Sequence, residues 1–247
     1  MASAVSKPEN QYMAVKRAHM VTRGYLQAWS NDHGLVYVWD GEARISGVRS
    51  LGDATVVRYA YRTEHTNLDL EAHFAGIEGR GTAAMRNLIG GGALNAEGRE
   101  AMIEFLDMHL ERGRYADQAS VKMPVGLGDL FHGGFQMSAM GLGDRLTLSK
   151  DINTNALRIS DLHVGRWPWR VADVRSGLIT GDGAVLLWEE TKGSGISSIS
   201  FPLSPTRLLI LGDPLPNVPI NALVANNCRR WLIDHVEGSV ARSMSSG

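Results

Sequence analysis

His19 and Arg23 stand four residues apart in the stretch Ala18-His19-Met20-Val21-Thr22-Arg23-Gly24-Tyr25-Leu26-Gln27-Ala28-Trp29. On a helix over residues 18–29 this spacing puts the imidazole and the guanidinium on one face. That face could meet a carboxylate or a phosphate, because the planar fork of Arg pairs bidentately with either anion. Val21, Tyr25 and Trp29 also recur every four residues, on a different face, and are expected to anchor the segment in a core. A His and an Arg on a solvated helix edge, or an Arg tied to a structural carboxylate, would show the same spacing.

Two further features carry candidate chemistry. Glu71 and Glu78 are seven residues apart beside an apolar stripe, which puts both carboxylates on one side of a helix. Asp182 precedes Glu190-Thr191-Lys192 by eight residues, an Asp…Glu-x-Lys order used by many metal-dependent nucleases. In that pattern the carboxylates bind the metal and the Lys steadies the nucleophile. An ordinary charged loop after a strand has the same composition.

Other chemistries lack their residues. There is no Gly-x-Ser-x-Gly elbow for a serine hydrolase. Gly90-Gly91-Gly92 is not followed by Lys-Ser/Thr, so it reads as a helix end rather than a phosphate loop. One cysteine and scattered histidines give no structural zinc spacing.

The elements that must position these residues are legible from the pattern. Asn31-Asp32-His33-Gly34 is a turn, and Leu35–Asp40 with Ala43–Val48 reads as a β-hairpin. Val56–Tyr61 is a third candidate strand. Thr66 or Asn67 is expected to cap a helix starting at Leu68, whose stripe is Leu70, Phe74, Ile77, Gly81, Ala84 and Leu88. A second helix spans Ala96–Arg112, and a third helical piece falls within Tyr115–Met123. Gly126-Leu127-Gly128-Asp129-Leu130 and Gly141-Leu142-Gly143-Asp144-Arg145-Leu146 form a near-repeat expected to bracket a short helix, His132–Ala139. From His163 the texture turns to strands: 164–171, 177–180, 184–188, 196–203 and 206–211, suggesting a largely antiparallel meander. Residues 223–232, with Cys228, read as a closing helix beginning at Asn221.

The chain has 247 residues and a formal charge of −1, enough for one sizeable domain and without the bulk charge of a nucleic-acid coat. The single Cys228 admits no internal disulfide and fits a reducing cytosol, so a cytoplasmic protein is expected. No apolar run is long enough to span a membrane. The fold expected is α+β: an N-terminal segment and β-hairpin, a helical middle, and a C-terminal antiparallel sheet with a closing helix. Residues 15–237 are read as one domain between a flexible N-terminus, 1–14, and a flexible tail, 238–247.

The opening motif, His19-Met20-Val21-Thr22 followed by Tyr25-Leu26 and Trp29, resembles the bacterial and phage domain-of-unknown-function family 4238. That family typically opens His-Tyr-Val-Pro-x-x-Tyr-Leu-x-x-Phe, and Thr22 stands where it usually has Pro. The resemblance continues through Glu71 and Glu78, through Ile179-Thr180-Gly181-Asp182-Gly183-Ala184, where Ala184 replaces a Pro, through Pro202-Leu203-Ser204-Pro205, and to Asn221. It covers roughly residues 15–237.

The resemblance marks His19, Arg23, Glu71, Glu78, Thr180, Asp182 and Asn221. Two or three carboxylates with a His hold a hard divalent ion and activate water for phosphodiester hydrolysis. The leading expectation is therefore a metal-dependent phosphodiesterase or nuclease-like enzyme, a hydrolase using Mg²⁺ or Mn²⁺ on nucleic acid or a nucleotide, in phage–host conflict. His19 would be base or ligand, Arg23 the phosphate clamp, and Glu71, Glu78 and Asp182 the metal ligands. One alternative is a non-catalytic binding or sensor module in which His19 and Arg23 recognise an anionic ligand. Another is an interaction protein without a small-molecule site, in which all these groups pair structurally.

Overall fold

The computed structural model describes residues 17–65, 68–128, 134–152 and 156–235. The elements follow from the pattern in most places. β1 (Ala18–His19) leads to a single helical turn, α1 (Arg23–Leu26), then to a hairpin of β2 (Leu35–Asp40) and β3 (Ile45–Ser50), and to β4 (Val56–Val57). The helical middle is α2 (Leu70–Ile89) and α3 (Ala96–Arg114). A hairpin of β5 (Met123–Gly128) and β6 (Phe135–Met140) precedes α4 (Leu142–Ile152). Then come β7 (Trp169–Asp173), β8 (Thr180–Gly181), β9 (Leu186–Glu189), β10 (Ile196–Ser204), β11 (Arg207–Gly212), α5 (Ile220–Asn227) and β12 (Trp231–Asp234). The α+β class is as expected.

Two four-stranded antiparallel sheets organise the chain. One has the order β7-β11-β10-β9 and is the meander with β7 added at its edge. The other, β3-β2-β12-β8, inserts the last strand beside the first hairpin: Trp231 faces Asp40 and Leu232 faces both Trp39 and Gly181. One continuous core runs from Ala18 to Ile233 through Tyr25, Trp29, Phe74, Phe105 and Phe201.

Of the stripe read from spacing, α2 buries Leu70, Phe74, Gly81, Ala84 and Leu88, and Ile77 is half-buried against the same core. Asp69 caps it through Ala72 N–H at 3.0 Å; Thr66 and Asn67, the caps expected, lie outside the described residues. α3 crosses close to it, and a Cβ on Gly81 would strike the Phe105 ring. Aromatic rings then meet at the centre. Tyr25 stacks on Phe201 at 4.8 Å and stands edge-on to Trp29 at 5.0 Å.

Several expectations need correction. Residues 18–29 are not one helix. They form a short strand, a turn of α-helix and a 3₁₀ turn, because Ala18 and His19 pair with Val57 and Val56. The third strand stops at Val57, where Tyr59 takes a left-handed φ of 57°. In place of a helix over His132–Ala139, residues Phe135–Met140 pair residue by residue with 123–128; residues 129–133 lie outside the described ones. The second Gly-Leu-Gly-Asp copy opens α4, which the pattern did not predict. The closing helix ends at Asn227, and Trp231 and Leu232 belong to a strand. β-Branched and aromatic residues at 231–234 fit the vacancy between two edges better than another helical turn would. The N-terminus and tail, read as flexible, lie outside the described residues.

His109 in α3 donates Nε2–H to Gly181 C=O at 2.9 Å in full burial. Burial lowers its pKa from 6.5 to about 4, against the raising effect of that hydrogen bond and with a smaller lowering by Arg112. The unfolded chain therefore binds a proton that the native state refuses across this window. Stability present above about pH 6.5 is lost as pH falls toward 4, by on the order of 3 kcal/mol from this group. His109→Gln should remove that component. In urea titrations the stability advantage of wild type over the variant should shrink steadily from pH 7 to pH 4.

Candidate functional site: a polar junction of β1, α1, α2 and α3

Arg112 is the centre of the site. It lies in the last turn of α3 with only 2% of its side chain exposed, and donates to Glu78 Oε1 at 2.6 Å. The same oxygen accepts from Thr22 Oγ1 at 3.0 Å, just before α1. The guanidinium lies 4.2 Å from the Phe74 ring centre and 5.0 Å from that of Tyr61. Burying a charge is costly unless it is paired and hydrogen-bonded. Here one carboxylate, one hydroxyl and two aromatic faces compensate it. Its Nε is nevertheless buried without a hydrogen-bond partner, as is Glu71 Oε2. Burial raises the pKa of the Glu71 carboxyl; Arg112 opposes this, and the nearby Glu78 charge adds to it.

His19 stands beside this pair. Its Nε2–H donates to Leu51 C=O at 3.2 Å, and its own carbonyl accepts from Tyr61 Oη at 3.0 Å. Burial lowers its pKa below 6.5; the Leu51 carbonyl and the Glu78 charge oppose this, and Arg23 adds to the lowering. Arg23 is exposed and makes no hydrogen bond or ion pair among the described residues. His19, Arg23, Glu71 and Glu78 thus share one electrostatic neighbourhood.

Asp182 does not join them. Its Oδ2 accepts from the backbone N–H groups of Arg229 at 3.2 Å and Arg230 at 3.0 Å, and its Oδ1 from Trp231 N–H at 3.1 Å. Burial raises its pKa to about 6 in spite of these three bonds. Thr180 shares its hydroxyl with Tyr25 Oη, and Asn221 bonds Ile179 N–H and Gly177 C=O. Asp182 and Asn221 thus hold backbone, and Thr180 holds a buried tyrosine hydroxyl. Glu190 and Lys192 are exposed on the β9–β10 turn while Asp182 is buried, so the Asp…Glu-x-Lys order forms no cluster.

The expected metal set therefore does not fit. Among the described residues no three His, Cys, Asp or Glu side chains converge to hold an ion. Glu78 is already spent on Arg112 and Thr22, and both oxygens of Asp182 on backbone donors. A metal would have to displace these bonds.

Sequence reasoning missed Arg112, Thr22 and Tyr61. Arg112 had a signal: Phe105, His109 and Arg112 lie at spacings of four and three on α3, so the stripe facing the core contains an Arg. Thr22 supplies a hydroxyl to Glu78 that a Pro at this position could not.

Compared with protein-family models, with curated proteins and with solved structures, the chain matches none. Its α+β architecture is the class that the coordinates define.

Glu78→Gln should leave the buried Arg112 charge uncompensated and cost about 2–4 kcal/mol in urea unfolding. Glu71→Gln should be tolerated. Because the folded Glu71 carboxyl titrates above its unfolded value, its charged form costs stability as pH rises, so that variant should gain on wild type as pH rises above 4.5, the ordinary value. Asp182→Ala strips acceptors from three backbone N–H groups and should destabilise by about 2–4 kcal/mol.

Proposed function

We propose that this protein is a non-catalytic binding or sensor module that recognises an anionic ligand through Arg23 and His19. One observation carries the reading. The carboxylates turn inward, Glu78 to Arg112 and Asp182 to backbone, while Arg23 is exposed without an ion-pair partner among the described residues. An exposed guanidinium with free donors is suited to carboxylate or phosphate. The metal-dependent phosphodiesterase or nuclease-like reading draws less support, because two of its three ligands, Glu78 and Asp182, are committed elsewhere. A nucleic-acid or nucleotide partner enters only as one source of phosphate.

The interaction-protein reading has its own support in the β5–β6 hairpin, where Phe135 is 73% and Met137 62% exposed. Membership of domain-of-unknown-function family 4238, and with it a bacterial or phage setting, is part of the proposal and rests on the order of short motifs. A cytoplasmic setting is likewise proposed, on the lone Cys228. No helix among the described residues is long and apolar enough to cross a membrane.

Calorimetric titration of sodium phosphate into the protein is the test. Saturable binding is expected, lost in Arg23→Ala and kept in Glu71→Gln. Mn²⁺ titrated into wild type should give no stoichiometric heat. Stoichiometric Mn²⁺ binding without phosphate binding would reverse the preference toward the metal-dependent enzyme.

A further inference from the structure

The sheet β7-β11-β10-β9 ends at β9, whose outer edge has no strand neighbour among the described residues. Which backbone groups face that edge follows from β10. Pro202 stands opposite Leu208 of β11, but it has no N–H and its C=O accepts from Tyr25 Oη, so it faces away from β11. Residues alternate along a strand, so Ser200 and Ser198 also face away from β11, toward their β9 partners Leu186 and Trp188. Leu187, between those two, therefore turns its N–H and C=O outward. Asn227 closes the edge as far as Val185, whose C=O accepts from its Nδ2 at 3.2 Å. The outward groups of Leu187 come next, in a groove of about 390 Å³ lined by Leu110, Leu187, Trp188, Leu223 and Asn226 among others. Leu110 and Leu187 belong to the main core, Leu223 and Trp188 to a smaller apolar cluster. Successive side chains of a strand point to opposite faces, so this edge runs between two apolar walls, one from α3 and one from α5. At its far end Glu189 and Glu190 are exposed.

We propose that this groove binds an extended segment of another protein, added antiparallel to β9, with apolar side chains against both walls and a Lys or Arg at the end beside Glu189 and Glu190. This goes beyond the anionic-ligand reading and shares no residue with it. A peptide backbone carries a donor and an acceptor at the spacing of the Leu187 N–H and C=O. Main-chain bonds then supply affinity, and the walls select side chains. Two other sheet edges are guarded: β7 carries Arg170 and Asp173, and β3 carries Arg49. Such charges deter a stray strand. β9 holds its charge to the far end and leaves Leu186-Leu187-Trp188 uncharged. A single extended segment fits between the walls. The β9 of a second copy would bring its own α3 and α5 walls into the same space.

The probe is the fluorescein-labelled peptide Lys-Val-Leu-Val-Thr-Val-amide, followed by anisotropy with the full chain, and saturable binding is expected. N-methylation of its alternate backbone nitrogens separates strand addition from apolar adhesion. Methylating one alternate set should weaken binding about tenfold or more, and methylating the other should leave it within about threefold. Leu187→Pro removes the outward N–H without touching a bond to β10. Asn226→Trp, at the exposed lip, fills the groove. Once thermal melting shows them folded, both variants should bind the probe about tenfold more weakly or worse. In the free chain the Leu187 amide should exchange its hydrogen faster than those of Leu186 and Trp188, and should slow when the probe binds. No saturable binding, equal effects of the two methylated sets, undiminished binding by both variants, or a Leu187 amide as protected as its neighbours would each overturn the inference. Dimerisation of the free chain through β9, seen by sedimentation and lost in Leu187→Pro, would also overturn it. The phosphate titration is independent of all these outcomes, so failure here leaves the anionic-ligand reading standing.

Discussion

Residues 178–186 are buried without a break, yet only Thr180, Gly181 and Leu186 pair as strand. Buried backbone groups must find partners, and an irregular segment cannot supply its own. The rest of the molecule is arranged to supply them. Trp29 Nε1 donates to Leu178 C=O, His109 to Gly181 C=O, and Asn227 to Gly183 and Val185 C=O. Asn221 holds Gly177 and Ile179 from α5. Asp182, without an ion-pair partner among the described residues, takes three N–H groups that lead into β12 and so fixes where that strand enters the sheet. The end of α3 approaches so closely that a Cβ on Gly113 would strike the Asp182 carbonyl. One turn therefore ties α1, α3, α5 and β12 together.

This segment accounts for much of what the motif residues do. Tyr25 and Trp29 carry a polar atom each into an otherwise apolar core, and both atoms reach the 178–202 region: Tyr25 Oη to Thr180 Oγ1 and Pro202 C=O, Trp29 Nε1 to Leu178 C=O. Polar residues drawn from distant parts of a chain assemble in a catalytic site, and they assemble equally to satisfy buried backbone. Asp182 and Asn221 belong to the second kind, and Thr180 satisfies the buried Tyr25 hydroxyl.

The other polar centre has a different logic. Arg112 could be buried only because α2 brings Glu78 to it and because Phe74 and Tyr61 offer ring faces. Thr22 and His19 then enter from the N-terminal segment, and Arg23 is carried to the rim. Breaking such a pair exposes a buried charge to apolar surroundings, so its geometry is rigid.

Periodicity by itself determined α2 and α3, the first hairpin and β10–β11, because burial on one face writes a repeat of 3.6 or 2 into the residue types. It also determined that Leu70 and Phe74 are core; Val21, Tyr25 and Trp29 are core as expected, though not on the helix their spacing implied. Three things had to wait for tertiary structure. Whether 18–29 was helix depended on Val56 and Val57, more than thirty residues away, which pair with His19 and Ala18. Whether 231–234 was helix or strand depended on the gap between β2 and β8. Whether a carboxylate was ligand, clamp or cap depended on its partner, and backbone N–H groups leave no mark in a sequence because every residue but proline has one. Asp182 and Glu78 look alike in the chain; only the fold gives one to backbone and the other to Arg112.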